Sequence, residues 1–224
     1  MSVRQLRAAG AVGLVAVVTF FVAFVVDPQP PTAGASATVL LEHQAASGTI
    51  DRAAAFLLGI SAAALVAFVA GVRAWFESIS SAPRWWGSAM FGGAVLTASS
   101  LLVFSALFFT TVSHAPPSAP VLVYLNDAAN YGFVFAGFGS LITIGFLAAL
   151  MLATGGPLGL LGRLGALVVP LLLLFLATAF FSNGPLVAGG FATIAGFAAT
   201  GIFLALTALS MLWFARLMQA AAKG

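Results

Sequence analysis

The sequence predicts an all-α fold: a polytopic transmembrane helical bundle of six spans with both termini in the cytoplasm. Of the 224 residues, 62% are hydrophobic and only 6% are charged, whereas soluble domains carry about 25% charged residues. The apolar residues form six continuous runs, each near the roughly 20 residues that a helix needs to cross a bilayer. These runs are too long for the strands of a membrane barrel, which alternate over about 10 residues.

The apolar runs define the spans and leave one long connection between the first two. We predict spans at about 9–26, 53–73, 86–112, 129–153, 164–182 and 186–214, all in a single membrane-embedded domain, 1–224. The outer loop is predicted at 27–50, with one or two helical turns on the outer surface at 38–43. Because Ala35-Ser36-Ala37 follows the first run, cleavage of that run as a secretory signal is an open alternative.

The charged residues fall unequally on the two sides of these spans. Four of the five acids share one side with Arg52, and the other side carries most of the basic residues. The basic residues of that other side are Arg4, Arg7, Arg73, Arg84, Arg163, Arg216 and Lys223. Basic loops stay in the cytoplasm, so this side is predicted to be cytoplasmic. All four Trp also lie there, as expected of side chains that anchor helices at the membrane interface.

The composition argues against several classes of function. The chain has no cysteine, and therefore no thiolate nucleophile, disulfide or iron–sulfur cluster. Its net charge is only +3 and its basic residues are scattered, so we expect no nucleic-acid partner. Both His lie in outer loops, outside the predicted spans, and their spacing to acidic residues is not that of a zinc site. We therefore predict no catalytic residues, no metal and no cofactor, and a protein that is not an enzyme.

A polar cluster at the outer mouth of the bundle is the main candidate for ligand binding. Arg52, Asp127, Asn130 and Tyr131 lie at the outer ends of spans 2 and 4. We expect Asp127 to be partly hydrated and paired with Arg52 or Tyr131. The alternative is a structural role, in which Asp51 and Asp127 stabilise the N-termini of their helices through the helix dipole.

Span 3 is rich in hydroxyl groups, and two of them, Ser99 and Ser100, are further candidate ligand residues. The whole set is Thr97, Ser99, Ser100, Ser105, Thr110 and Thr111. Membrane Ser and Thr often donate to a carbonyl four residues earlier or to a neighbouring helix. The alternative is a polar stripe, shared with Asn130 and Ser140, that lines a narrow path for a small neutral solute.

Small residues at four-residue spacing predict the packing faces of the inward-running spans, because helices in lipid associate through close backbone approach. The predicted ridges are Ala55, Gly59, Ala63, Ala67 and Gly71 in span 2; Ala128, Gly132, Ala136 and Ser140 in span 4; and Ala188, Ala192, Gly196 and Thr200 in span 6. Span 5 carries the bulky run 171–174 beside Pro170. We predict that it lies at the periphery and faces lipid, including Leu172.

Several stretches of the sequence resemble the DUF4386-type family of bacterial multi-spanning membrane proteins. They are 51–59 (DRAAAFLLG), 125–133 (LNDAANYGF) and 155–165 (GGPLGLLGRLG). The resemblance extends over about residues 5–215. It implies the same multi-spanning architecture, and it implies no activity, because the family is one of uncharacterised proteins.

These observations predict a non-catalytic integral membrane protein that binds lipid or an apolar ligand, or that serves as a subunit of a membrane assembly. The expected partners are membrane lipid and either a second copy of the chain or another membrane protein. The expected location is the cell membrane of a prokaryote. The alternative function is a transporter or channel for a small neutral solute, formed by the hydroxyl groups of span 3 and the polar cluster around Asp127.

Overall fold

The computed structural model describes residues 1–26, 31–113, 118–181, 187–188 and 190–222, with the backbone alone for 111–113. These residues form six long α-helices and no strand. The helices are α1 (Val3–Val26), α2 (Ala37–Ile79), α3 (Arg84–Ser113), α4 (Ala119–Thr154), α5 (Gly156–Ala177) and α6 (Phe191–Ala221). All six are long and apolar enough to cross a membrane. The predicted all-α class with six spans is therefore confirmed, while the orientation of the termini stays a prediction.

The second helix begins much earlier than its apolar run. The hydroxyl of Ser36 accepts a hydrogen bond from the backbone N–H of Val39, and this cap starts α2 at Ala37. The 43 residues of α2 span about 65 Å, roughly twice the thickness of the hydrocarbon core. The predicted outer loop at 27–50 is therefore wrong from residue 37 onward. The helical conformation predicted for 38–43 is present, but as part of α2. Residues 27–30, with Asp27, lie outside the described residues.

The six helices form a closed ring in the order of the sequence. Each helix packs against its neighbours along the chain, and α1 packs against α6 to close the ring. At the closure, the guanidinium of Arg7 donates a hydrogen bond to the side-chain oxygen of Gln219. The turn from α4 to α5 needs almost no connecting chain, because Gly155 and Gly156 have φ values of +74° and +57°. Only glycine adopts such values without strain.

The small-residue ridges predicted the packing faces with mixed success. The ridge of α6 is confirmed, since Ala192, Gly196 and Thr200 are all buried. The ridge of α2 is correct only at its two ends, since Ala55 is buried and Gly71 packs closely against Ala9 of α1. Its middle is wrong, because Ala63 and Ala67 are exposed. The buried face of α2 carries larger side chains instead, among them Leu58, Leu65, Phe68, Val69 and Val72.

The ridge of α4 is half correct. Ala136 and Ser140 are buried, whereas Ala128 is exposed and Gly132 is partly exposed. Ala and Gly are so frequent in this chain that a four-residue spacing also arises on exposed faces of the helices.

Two glycines bring the backbones of α3 and α4 very close together. A Cβ atom added to Gly139 would lie 2.4 Å from the backbone nitrogen of Thr97, and one added to Gly93 would lie 2.7 Å from the carbonyl oxygen of Gly139. Both distances are shorter than any van der Waals contact, so neither position has room for a side chain. The two glycines therefore set the spacing of these helices.

The fifth helix lies in the ring between α4 and α6 rather than apart from the bundle, and one of its leucines is buried instead of facing outward. Leu171, Leu173 and Leu174 are exposed, while Leu172 is 0% exposed and belongs to the core. The prediction for Leu172 was wrong because successive helical residues are rotated by about 100°, so four consecutive leucines cannot share one face.

Candidate functional site

The middle of the ring is filled by phenylalanine rings from four helices. Phe197 of α6 is the centre of this group, with ring centroids 4.3 Å from Phe133, 4.8 Å from Phe175 and 5.5 Å from Phe20. Such tilted contacts between aromatic rings are favourable and leave little space. These rings separate two cavities. The inner cavity lies toward the side that carries most of the basic residues, and the outer cavity lies toward the opposite side.

The inner cavity has a volume of about 40 Å³ and is enclosed by α1, α2, α3, α4 and α6. Most of its wall is apolar, and hydroxyl groups from four helices border it: Ser61, Thr97, Ser140, Thr143 and Thr200. The volume admits a few water molecules at most. Thr97 and Ser140, from which the solute path was predicted, both border this cavity.

The hydroxyl groups around the inner cavity hydrogen-bond mainly to the backbone. The donor–acceptor distances are 2.7 Å from Ser61 to the carbonyl of Ala16, 2.9 Å from Thr143 to Gly139, 2.9 Å from Thr200 to Gly196 and 3.1 Å from Thr97 to Gly93. The bond from Ser61 joins α2 to α1, and the others are made within a helix. Their protons are thus used by the fold.

The two candidate hydroxyls of span 3 lie away from this cavity. Ser99 is exposed on the outer face of α3, and Ser100 is half-buried. The buried hydroxyls of α3 are those of Thr97 and Ser105, which donates to the carbonyl of Leu101 at 2.8 Å. The predicted polar stripe was therefore too broad, because a single helix face holds only every third or fourth residue. The side chain of Thr111 lies outside the described residues.

The outer cavity has a volume of about 50 Å³ and lies on the other side of the aromatic group. Its lining is largely apolar, with Phe24 and Phe104 prominent, and Asn126 and Asn130 add amide groups. The candidate residue Asn130 therefore lines a small cavity inside the bundle. Its amide, however, already has protein partners.

The polar residues of α4 fasten the segment that precedes α2. The Nδ2 atom of Asn130 donates to the carbonyl of Pro31 at 3.1 Å, and that of Asn126 donates to Thr32 at 3.0 Å. The Oδ1 atom of Asp127 accepts from the backbone N–H of Gly34 at 2.8 Å. Three polar residues between positions 126 and 130 of α4 thus serve one structural purpose, which is to hold the segment that precedes α2.

Arg52 does not pair with Asp127. Its Nε atom donates to the carbonyl of Gly48 at 3.1 Å, and its Nη2 atom donates to the hydroxyl of Thr49 at 3.2 Å. Tyr131 is exposed and is likewise no partner of Asp127. The predicted Asp127 pair was therefore wrong, because the acid meets a backbone group from a distant part of the chain.

The helix-dipole role predicted for the two acids is also wrong. Helix α2 begins fourteen residues before Asp51, and α4 begins eight residues before Asp127. A helix dipole acts over the first turn only. Neither acid is close enough to its helix terminus for that effect.

Asp51 is the polar residue whose position sequence reasoning missed. It is 0% exposed, and its Oδ2 atom lies 3.3 Å from Nε2 of His43 on the same helix. The signal was available in the spacing: Leu40, Asp51 and Leu58 fall on one face of a helix that continues outward from span 2. This shared face was not recognised, because 37–50 was predicted to be a loop. His114, predicted near this cluster, lies outside the described residues.

The opposite end of the bundle holds a larger and more polar space, of about 250 Å³, at the connection between α2 and α3. Arg73, Glu77 and Arg84 line it.

The described residues contain no group of three or more metal-ligating side chains. Comparison with models of protein families, with curated proteins and with solved structures found no match for this chain. The resemblance to the DUF4386-type family thus stays a prediction.

Proposed function

We propose that this chain is a non-catalytic integral membrane protein whose bundle binds phospholipid around its outer surface. The observation that best supports this proposal is the use of the buried hydroxyls: Ser61, Thr143 and Thr200 donate to backbone carbonyls. These hydroxyl groups thereby use their protons within the protein, and that of Ser61 also joins α2 to α1. The internal cavities, of about 40 and 50 Å³, are far smaller than the 300 Å³ or more of a typical ligand pocket.

The outward faces of the helices have the properties that lipid binding requires. Phe135, Leu167 and Phe191 each expose more than half of their side-chain surface. A continuous apolar surface of this kind is stable only against lipid or another apolar helix. A second copy of the chain or another membrane protein is therefore the further partner that we propose, in a membrane assembly.

Native mass spectrometry and thermal unfolding test the proposal. We expect the protein purified in mild detergent to retain phospholipid, and delipidation to lower its unfolding temperature. Adding phospholipid back should restore that temperature, because a ligand that binds only the folded state stabilises it. A protein that carries no lipid and whose unfolding temperature does not respond to lipid contradicts the proposal.

The remaining parts of the proposal concern the setting of the protein. We propose that it resides in the cell membrane of a prokaryote, with both termini in the cytoplasm, and that it belongs to the DUF4386-type family. We further propose that it is not an enzyme, uses no cofactor and binds no nucleic acid. The unequal distribution of basic residues supports the orientation.

A second candidate function is the passage of a small neutral solute. It is favoured by the arrangement of the two cavities, which follow one another inside the ring with Phe133 and Phe197 between them. Proteoliposomes test it through the flux of water or ammonia. If the route conducts, Phe197→Ala should raise the flux, whereas Phe191→Ala on the exposed face of the same helix should not. Flux equal to that of empty liposomes in all three proteins removes this candidate.

A further inference from the structure

The connection between α2 and α3 forms a polar pocket on the side of the bundle that carries the basic residues. Its volume is about 250 Å³. The polar side chains that line it are Arg73, Glu77, Ser80, Ser81 and Arg84. Phe76 of α2 and Leu150 of α4, both buried, complete the wall on the protein side. The pocket is therefore part of the folded bundle, shaped by three helices.

The two arginines of this pocket keep most of their hydrogen-bond donors available. Arg73 donates from Nε to Oε1 of Glu77 at 2.8 Å, and this bond uses one of its five N–H groups. Arg84 makes no hydrogen bond or ion pair with any described residue. Two guanidinium groups and one carboxylate give the pocket a formal charge of +1. Free guanidinium donors around a cavity are suited to a phosphate group, which they bind through paired hydrogen bonds.

We propose that this pocket binds the phosphodiester of a membrane phospholipid headgroup. The inference rests on the proposed lipid-binding function and assigns it a specific site. A phosphodiester carries one negative charge, which neutralises the formal charge of +1 of the pocket. A free phosphate or phosphomonoester carries about −1.5 to −2 at neutral pH, and its excess charge would be repelled by Glu77. The start of α3 at Arg84 adds the partial positive charge of a helix N-terminus.

The aromatic residues beside the pocket place it at the depth of lipid headgroups. Trp85, which follows Arg84, is 60% exposed. Its ring meets Trp86 and Phe146 edge to face, with centroid distances of 6.1 Å and 5.3 Å. Exposed Trp side chains settle at the boundary between hydrocarbon and headgroups. A phosphate group bound by Arg84 therefore lies next to Trp85, which anchors α3 at the membrane interface. The acyl chains of the same phospholipid can then extend into the hydrocarbon.

Delipidated protein in detergent allows the site to be tested with three probes: dioleoylphosphatidylglycerol, dioleoylglycerol and inorganic phosphate. Dioleoylglycerol has the same acyl chains without the phosphate. We expect phosphatidylglycerol to raise the unfolding temperature more than either of the other probes. The test variant is Arg84→Gln, which leaves every described hydrogen bond intact. The matched control is Arg163→Gln, since Arg163 is exposed on α5 at the same side and outside the pocket.

Arg84→Gln should weaken phosphatidylglycerol binding by about tenfold or more, because a hydrogen bond to a charged group contributes at least that factor. Arg163→Gln should bind as the unmodified protein does. Equal responses to phosphatidylglycerol and dioleoylglycerol, or equal losses in the two variants, overturn the site while leaving general lipid binding in place. A response to inorganic phosphate as large as that to the lipid overturns the lipid assignment. No response to any lipid contradicts the proposed function itself.

Discussion

The carboxylate of Asp127 accepts a hydrogen bond, 2.8 Å long, from the backbone N–H of Gly34, which lies 93 residues earlier in the chain. Gly34 has a φ of +78°, a value that favours glycine. The bond joins the connection after α1 to the outer part of α4. Nearby, the backbone N–H of Ala33 donates to the carbonyl of Ala188 at 3.2 Å, so the same connection is also held by the segment before α6.

This relationship predicts how substitutions of Asp127 behave. Asp127→Ala removes the acceptor and should lower the free energy of unfolding by about 1 kcal/mol. Asp127→Asn keeps an oxygen acceptor and should remain within about 0.5 kcal/mol of the unmodified protein. Arg52→Gln is the control and should change the free energy of unfolding by less than about 0.5 kcal/mol, because the hydrogen bonds of Arg52 to described residues lie within its own exposed helix segment. Denaturant unfolding in detergent micelles measures all three. If Asp127→Asn lowers the free energy of unfolding as much as Asp127→Ala does, the negative charge of Asp127 is itself required.

The contact between α3 and α4 predicts opposite effects for two glycines of the same helix. Gly139→Ala forces a methyl group against the backbone of Thr97 and should cost about 1–3 kcal/mol. Gly132→Ala meets no atom within 4 Å and should be neutral or stabilising by up to about 1 kcal/mol, since alanine favours the helix. The unfolding temperatures of the two variants compare them directly. Similar temperatures contradict the close approach of the two backbones.

The contact of the fully buried Asp51 with His43 predicts a loss of stability on removing the acid. Asp51→Ala removes a carboxylate whose Oδ2 atom lies 3.3 Å from Nε2 of His43, and losing a buried polar contact typically costs about 1–3 kcal/mol. Glu42→Ala, at an exposed position next to His43, should change stability by less than about 0.5 kcal/mol. The yield of folded monomer and the unfolding midpoint provide the readout. Equal behaviour of the two variants argues against a structural role for Asp51.

Adjacent leucines of α5 separate core packing from lipid contact. Leu172→Ala should open a cavity in the core and cost about 2–5 kcal/mol, because Leu172 is fully buried. Leu173→Ala should have little effect, since the exposed side chain of Leu173 exchanges one apolar environment for another in lipid. Unfolding midpoints in detergent test the difference. A Leu173 variant as unstable as the Leu172 variant would place a protein partner on that face.

The absence of cysteine from the sequence makes the orientation simple to test. Single-cysteine variants at Ser2 and Ser118, both exposed, should label from opposite sides of the membrane. An impermeant thiol reagent added to intact cells should modify Ser118→Cys and leave Ser2→Cys unmodified until the cells are opened. The reverse pattern contradicts the predicted orientation. A mature chain that begins at Thr38 instead supports cleavage of a signal sequence.

The sequence by itself determined the number of helices and their class. Apolar runs longer than about 18 residues can exist in a bilayer only as helices, because every backbone group must be hydrogen-bonded internally. The periodic small residues of α6 also predicted its packing face, since Ala192, Gly196 and Thr200 are all buried. These properties depend on local composition and spacing.

The tertiary structure alone decided the partners of the polar residues and the extent of α2. Asp127 meets Gly34 because the ring brings the connection after α1 onto α4. Asp51 meets His43 because α2 continues outward from the predicted span, so that both residues lie on one helix. Hydropathy could not reveal that extension, since 37–50 is too polar to count as a span yet continues the same helix. A hydrogen bond to a distant backbone group leaves no periodic signal in the sequence, and neither does the enclosure of a pocket by three helices.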